Sequence, residues 1–236
     1  MKRIVAGIIA LLPSRLTPIV LRVLLGYNIG KDVKIGLSII DVKSCRIGNG
    51  VRIGHGNLFI ETDQLEIGNG VKIGHLNVFR GGSKISIGDR SEVIRLNVIN
   101  SIVEPEVYNN YAPEFCCGQN VSITEGHKID FTDRVSIGNY SIVAGRNSSL
   151  WTHVRQATKP IEIGDNCYLG SEIRVGPGVT IADRNIVAMG SVVTSSNLVT
   201  DKVIGGVPAK IIKDLDDSNL RLLKNTDSPE LDYGSQ

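Results

Sequence analysis

Aliphatic residues recur every six positions through most of this chain, a period that fits neither an amphipathic helix nor a single alternating strand. From Ile163 the series runs through Leu169, Val175, Ile181, Val187 and Val193, with Gly164, Gly170, Gly176, Ala182, Ala188 and Thr194 directly behind. Earlier sets keep the same step: Ile29 and Ile35; Ile47, Ile53 and Phe59; Ile67, Ile73 and Phe79; Ile87, Val93 and Ile99; Ile137, Val143 and Ser149. The sets begin near 29, 47, 67, 87, 137, 163 and 181, so the commonest spacing is 18 to 20 residues, three hexads with an occasional extra residue. Three short strands per turn satisfy that count. Each hexad then places its aliphatic residue inside a three-sided prism, and Gly or Asn in "IGNG", "IGDN" and "IGNY" supplies the tight, often left-handed corner backbone. Successive turns stack as parallel strands about 4.8 Å apart, the hexapeptide form of a parallel β-helix. Aromatic residues make up only 5% of the chain, as expected if rings overfill so narrow an interior.

Two stretches break the count, and breaks in a solenoid become loops on one face. One is "VEPEVYNNYAPEFCCGQN", 103 to 120. The other, "WTHVRQATKP", 151 to 160, replaces a corner and carries the single tryptophan, Trp151, two positions before His153. The expected organisation is an N-terminal helical segment over 1–26, the β-helix over 27–213 with these two insertions, and a short helix with a flexible polar tail over 214–236.

Residues 1–26 contain four basic and no acidic residues among Leu, Ile and Val, and the longest uncharged run, Ile4 to Ser14, is too short to span a bilayer. No small-x-small cleavage site follows, so a signal peptide is not indicated. Thr17-Pro18 reads as an N-cap and first helical position and Gly26 as a helix end, giving two short helices. They cap the open end of the core or rest shallowly on an anionic membrane surface. The 26 basic and 24 acidic residues are mixed along the chain, leaving no broad field for nucleic acid. Cys45, Cys116, Cys117 and Cys167 form no metal-ligand spacing and no disulfide framework, which suits a reducing cytoplasm, at the inner face of the membrane if the helices bind it.

The run "PIEIGDNCYLGSEIRVGPGVTIADRNIVAMGSVVT", followed by "VIGGVPAKII", resembles the left-handed β-helix acyltransferases of the hexapeptide-repeat superfamily, in particular the sugar and polysaccharide O-acetyltransferase branch. The resemblance is strongest over 137–213. It implies that His153, in the "TH" preceding this run, is the general base that takes a proton from an acceptor hydroxyl as it attacks the thioester of acetyl-CoA or another acyl-CoA. A neutral imidazole suits that task and needs a partner on its other ring nitrogen to fix the tautomer. "GHKIDFTD" supplies His127, Asp130 and Asp133 one coil earlier; Asp130 is the chosen carboxylate, with His127 a second candidate whose role is not separated from it. Trp151 lines the acceptor site or covers an exposed coil edge.

By the same resemblance the donor lies along the C-terminal coils, against Gly170, Ser171, Met189, Gly190, Thr194 and Lys210. This chain departs from many relatives at Ser195, where a Lys is common, and at Met189, where a small residue is common. The resemblance also implies a homotrimer with active sites between chains. His55 and His75, at matching phase in "IGHGN" and "IGHLN", read as corner residues, and no third histidine joins His127 and His153, so no metal is expected. The resulting expectation is an acyl-CoA-dependent O-acyltransferase acting on a sugar hydroxyl of a polysaccharide or glycan precursor. The alternatives are amino-sugar N-acetylation on the same fold, or a scaffold without catalysis.

Overall fold

The computed structural model describes residues 2–102, 112–155 and 157–223. The chain winds as a left-handed parallel β-helix whose three faces, among the described residues, hold eight, ten and eight strands. The first face runs from Asn28–Ile29 to Thr180–Ile181, the second from Lys34–Ile35 to the terminal hairpin, and the third from Ile39–Asp41 to Val192–Val193.

Register explains why the hexads are aliphatic. On the first face Ile29, Ile47, Ile67, Ile87, Cys117, Ile137, Ile163 and Ile181 stack directly upon one another. The second face stacks Ile35, Ile53, Ile73, Val93, Ile123, Val143, Leu169 and Val187. The third stacks Ile40, Phe59, Phe79, Ile99, Ile129, Leu150, Val175 and Val193. All of them are buried in one continuous core, and each such side chain contributes about 1.5–3 kcal/mol relative to exposure.

The corner motif has two separate causes. A Cβ on Gly48 would lie 2.7 Å from the backbone nitrogen of Asn69, and one on Gly68 would lie 2.4 Å from Asp89 Oδ1, so the first glycine is required by the coil above. The next residue's side chain accepts a backbone N–H from the neighbouring coil: Asn49 N–H donates to Asn69 Oδ1, and Asn69 N–H to Asp89 Oδ1. Left-handed backbone falls one residue later, at Gly50, Gly70, Arg90, Asn120, Tyr140, Asn166 and Arg184, with φ between +53° and +69°. The neighbouring contacts hold even Tyr and Arg there, so glycine is favoured at this place but not obligatory.

Several expectations change. All four phenylalanines are fully buried inside the prism, with Phe59 stacked on Phe79 at 4.6 Å between ring centres, so rings do fit where two adjacent coils both carry them. The inward residue after Val143 is Leu150, not Ser149, because strand Ile142–Arg146 bulges: Glu125 pairs with Arg146 where Val143 pairs with Ile123. Within 103–120, Glu114–Cys117 is a regular strand whose Phe115 and Cys117 point inward, so a full coil is present where only a turn-rich insertion is expected. Residues 103–111 of that insertion lie outside the described residues.

At the N-terminus α1 (Lys2–Ala10) and α2 (Thr17–Leu25) cover the first coil, with Ile9 and Leu21 joined to the core. Leu16, not Thr17, is the N-cap of α2; the Thr17 hydroxyl is buried and turned back to the carbonyls of Leu12 and Pro13. Gly26 closes the helix with φ +67°. At the other end the hairpin of Lys202–Gly206 and Ala209–Asp214 leads into α3 (Asp217–Leu223), whose Leu223 packs on Ile186 and Val203. The expected flexible tail beyond 223 lies outside the described residues.

Candidate active site

Along one edge of the prism, where the third face turns into the next coil, Asp130 ends strand Lys128–Asp130 and pairs with Trp151 at the end of Ser149–Trp151. The chain then leaves the coil as a small antiparallel hairpin, His153–Val154 against Ala157–Thr158, and rejoins it at Ile161. The interruption of the six-residue count is therefore a β-hairpin rather than an irregular loop. Lys159 N–H donates to the carbonyl of Thr152 and closes its base.

Asp130 is buried, only 4% exposed, and its carboxylate is held from several sides. Thr132 N–H donates to Oδ1 at 3.2 Å and the Thr132 hydroxyl lies 3.2 Å from Oδ2. The Thr152 hydroxyl lies 2.9 Å from Oδ1 and accepts the N–H of Asp133. His153 Nδ1 completes the set at 2.9 Å from Oδ1. A carboxylate accepts but does not donate, so Nδ1 carries a proton toward Asp130, and it is Nε2 that holds the lone pair in the neutral tautomer. Nε2 makes no hydrogen bond to any described residue, and the His153 side chain is 23% exposed. The edge thus presents a basic nitrogen to solvent with its tautomer fixed from behind. Trp151, 43% exposed, stands edge-on to the His153 ring with centres 6.3 Å apart.

Thr132 and Thr152 hold the carboxylate in place, and sequence reasoning passes over both. The signal is there to find: each lies next to a named residue, in "FTD" and "WTH", and a buried threonine needs a partner.

His127 does not belong to this constellation. It sits at the opposite end of strand Lys128–Asp130, three residues of extended chain or about 10 Å away, and is fully buried. There it extends a ladder of buried asparagines. Asn57 Oδ1 accepts the N–H of Asn77, Asn77 Oδ1 that of Asn97, and Asn97 Oδ1 that of His127. His127 Nδ1 then accepts Ser148 N–H at 3.1 Å, while Nε2 lies 3.0 Å from the Thr124 hydroxyl, which is bonded onward to backbone carbonyls. With Nδ1 an acceptor, the proton is on Nε2; burial pushes the pKa of this imidazole down to about 4 and keeps it neutral.

The expected donor residues divide between two edges. Thr194 is exposed on the His153 edge, two coils further on, following Gly176 in the stack. Gly170, Ser171, Met189 and Gly190 lie on the edge between the second and third faces, with Met189 and Gly190 exposed. A Cβ on Gly170 would meet the backbone nitrogen of Met189 at 2.8 Å, which gives that glycine a packing reason of its own. Lys210 is exposed on the terminal hairpin opposite Gly205. Between the two edges the third face carries a shallow depression of 420 Å³ lined by Gly126, Lys128, Asn147, Ser149, Glu172 and Arg174.

Three of the four cysteines are buried in the core. Burial pushes the thiols of Cys45 and Cys117 up to about 12 and that of Cys167 to about 11, leaving no thiolate nucleophile among these three. His55 and His75 stack at 5.6 Å, and each Nδ1 accepts a backbone N–H from the preceding coil, the corner role expected of them. Among the described residues no group of three or more His, Cys, Asp or Glu is placed to hold a metal ion.

Residues 160–195 match the family described as bacterial transferase hexapeptide (six repeats). The chain is 29% identical over 128 residues to the galactoside O-acetyltransferase of Escherichia coli K12, covering 50% of this chain and 63% of that protein. It is 27% identical over 122 residues to the putative colanic acid biosynthesis acetyltransferase WcaF of the same organism, covering 49% of this chain and 66% of that one. The chain therefore spans about two thirds of the length of the curated relatives it matches. Among solved structures, a hexapeptide-repeat acetyltransferase of Vibrio cholerae O1 biovar eltor complexed with acetyl coenzyme A is similar at 26% identity and a TM-score of 0.44, covering 56% of this chain and 71% of that one. The chain has the hexapeptide-repeat left-handed β-helix fold and is related to the galactoside and colanic acid acetyltransferases.

Proposed function

We propose that this protein transfers an acyl group, most simply acetyl, from acyl-coenzyme A to a sugar hydroxyl of a polysaccharide or glycan precursor, with His153 as general base. The observation that carries the reading is the 2.9 Å contact of His153 Nδ1 with the buried Asp130 carboxylate, which leaves Nε2 open on the prism edge. The relatives' names, a galactoside O-acetyltransferase and a colanic acid biosynthesis acetyltransferase, support acetyl as the group and a sugar as the acceptor.

Nε2 accepts the acceptor's O–H proton while that oxygen bonds to the thioester carbonyl carbon. As the tetrahedral intermediate collapses, the C–S bond breaks and Nε2–H returns the proton to the departing thiolate. Asp130 remains ionised and stabilises the transient imidazolium, and general-base help of this kind is worth about 10²–10⁴-fold. In this reading Trp151 bounds the acceptor side, and the donor arm runs past Gly170, Ser171, Met189, Gly190 and Thr194 with Lys210 meeting phosphate. Those groups occupy two edges of one prism, so a homotrimer with parallel axes, setting the edge of one chain against a neighbour, would assemble the complete cleft.

The test is release of free thiol from acetyl-CoA in the presence of a panel of neutral sugars, amino sugars and oligosaccharides. Acceleration by hydroxyl acceptors, with an O-acetyl ester as product, is expected. Amide product from amino sugars alone would move the reading to N-acetylation. No acceleration by any acceptor, with no binding of coenzyme A at millimolar concentration, would leave the chain a scaffold.

A further inference from the structure

We propose that the N-terminal end of the β-helix is a docking surface for an anionic phospholipid bilayer, with α2 lying in the interface. Two independent features point there. The first is the exposed face of α2: Leu16, Ile19 and Val23 follow one another at helical spacing and turn away from Pro18, Leu21 and Leu25, which face the core. Val23 is 76% exposed, and Ile8, Leu11 and Leu24 at this end of the chain are exposed as well.

The second is a depression of 460 Å³ at the edge of the stripe, lined by Arg15, Pro18, Ile19, Arg22, Asp32, Val33 and Lys34. Three cations border it. Arg22 donates to the backbone carbonyls of Ile29 and Gly30, which positions its guanidinium without neutralising it. The one acid present, Asp32, is bound by Arg52 at 2.7 Å, and that guanidinium holds its carboxyl below the usual carboxylate range. Residues 1–26 contain no acidic residue at all.

An aliphatic stripe rimmed by arginine and lysine in excess over a single acid is the arrangement of a helix lying in a headgroup layer, its apolar face in the acyl boundary and its cations on phosphate. A second copy of this end would bring like charges together, which disfavours self-association through the same face. No helix among the described residues is long and apolar enough to cross a membrane, so the contact is interfacial.

The full chain is to be sedimented with vesicles of phosphatidylcholine alone and with vesicles in which about a third of the lipid is phosphatidylglycerol. Binding about 10-fold or more stronger to the anionic vesicles is expected, falling as salt is raised. Ile19→Ser with Val23→Ser should remove it about 10-fold or more, and Arg15→Glu with Lys34→Glu should abolish the preference for anionic lipid. All these side chains are surface-exposed or rim a surface depression, so unchanged thermal unfolding of the variants checks that the fold is intact. Equal binding to both vesicles, undiminished binding by the serine variant, or no binding by the wild type would overturn the proposal. So would a wild-type assembly that the serine variant breaks into smaller species in the absence of lipid. Acyl transfer to a soluble acceptor is unaffected by these variants, so this result and the catalytic reading stand or fall separately.

Discussion

Two histidines on adjacent coils illustrate how much the surroundings decide. His153 and His127 are the same side chain on adjacent coils, yet one offers Nε2 to solvent and the other has both nitrogens engaged in the interior. In the unfolded chain the His127 imidazole binds a proton below about pH 6.5, but when folded only near 4. The unfolded state therefore holds more protons between those values, and stability falls as pH drops through that window by up to about 3 kcal/mol. Because Oδ1 of an asparagine takes the place of Nδ1, His127→Asn continues the ladder of Asn57, Asn77 and Asn97. It should stay within about 1.5 kcal/mol of wild type at pH 7, retain activity, and lose this part of the acid sensitivity. His127→Leu orphans the Ser148 N–H and should cost about 1–3 kcal/mol. Urea unfolding at pH 7 and pH 5 measures both. The role of His127 is not legible in its own stretch of sequence, because two of the partners that define it, Ser148 and Asn97, stand 21 and 30 residues away in the chain. That of His153 is more legible, since the Thr-His pair sits at the break in the repeat.

At the scale of the element, the corner glycines separate by what lies above them. A Cβ on Gly68 meets Asp89 at 2.4 Å, whereas one on Gly176 finds Val193 O at 3.7 Å, ordinary contact. Gly68→Ala should therefore destabilise by about 1–3 kcal/mol and Gly176→Ala should be nearly neutral, a contrast that denaturant midpoints would show. The two glycines occupy the same hexad position, and the sequence does not distinguish them. The inward columns were readable because a strict period repeats one spatial relation. The bulge at Val143 was not, since a single extra residue moves Leu150 into the place assigned to Ser149 while leaving the next set in phase. The coil through Phe115, Ile123 and Ile129 was hidden for a related reason: its first strand follows directly on an insertion of turn-forming residues, and Phe and Cys stand where the pattern has Ile.

For the whole molecule, the solenoid is a rigid ruler that sets side chains along its edges at one-coil intervals. Asp130 and Trp151 stack on one edge because they close equivalent strands, and the hairpin carrying His153 can leave the prism only because the coils on either side remain paired. The candidate site thus rests on a frame whose stability is supplied elsewhere, by the three apolar columns. The measurement that tests this most directly is the turnover of His153→Ala with acetyl-CoA and an accepted sugar, alongside its affinity for the donor. A fall in kcat of about 10²-fold or more with donor affinity and thermal unfolding unchanged is the result predicted; a variant that binds the donor normally and transfers as fast as the wild type would contradict it.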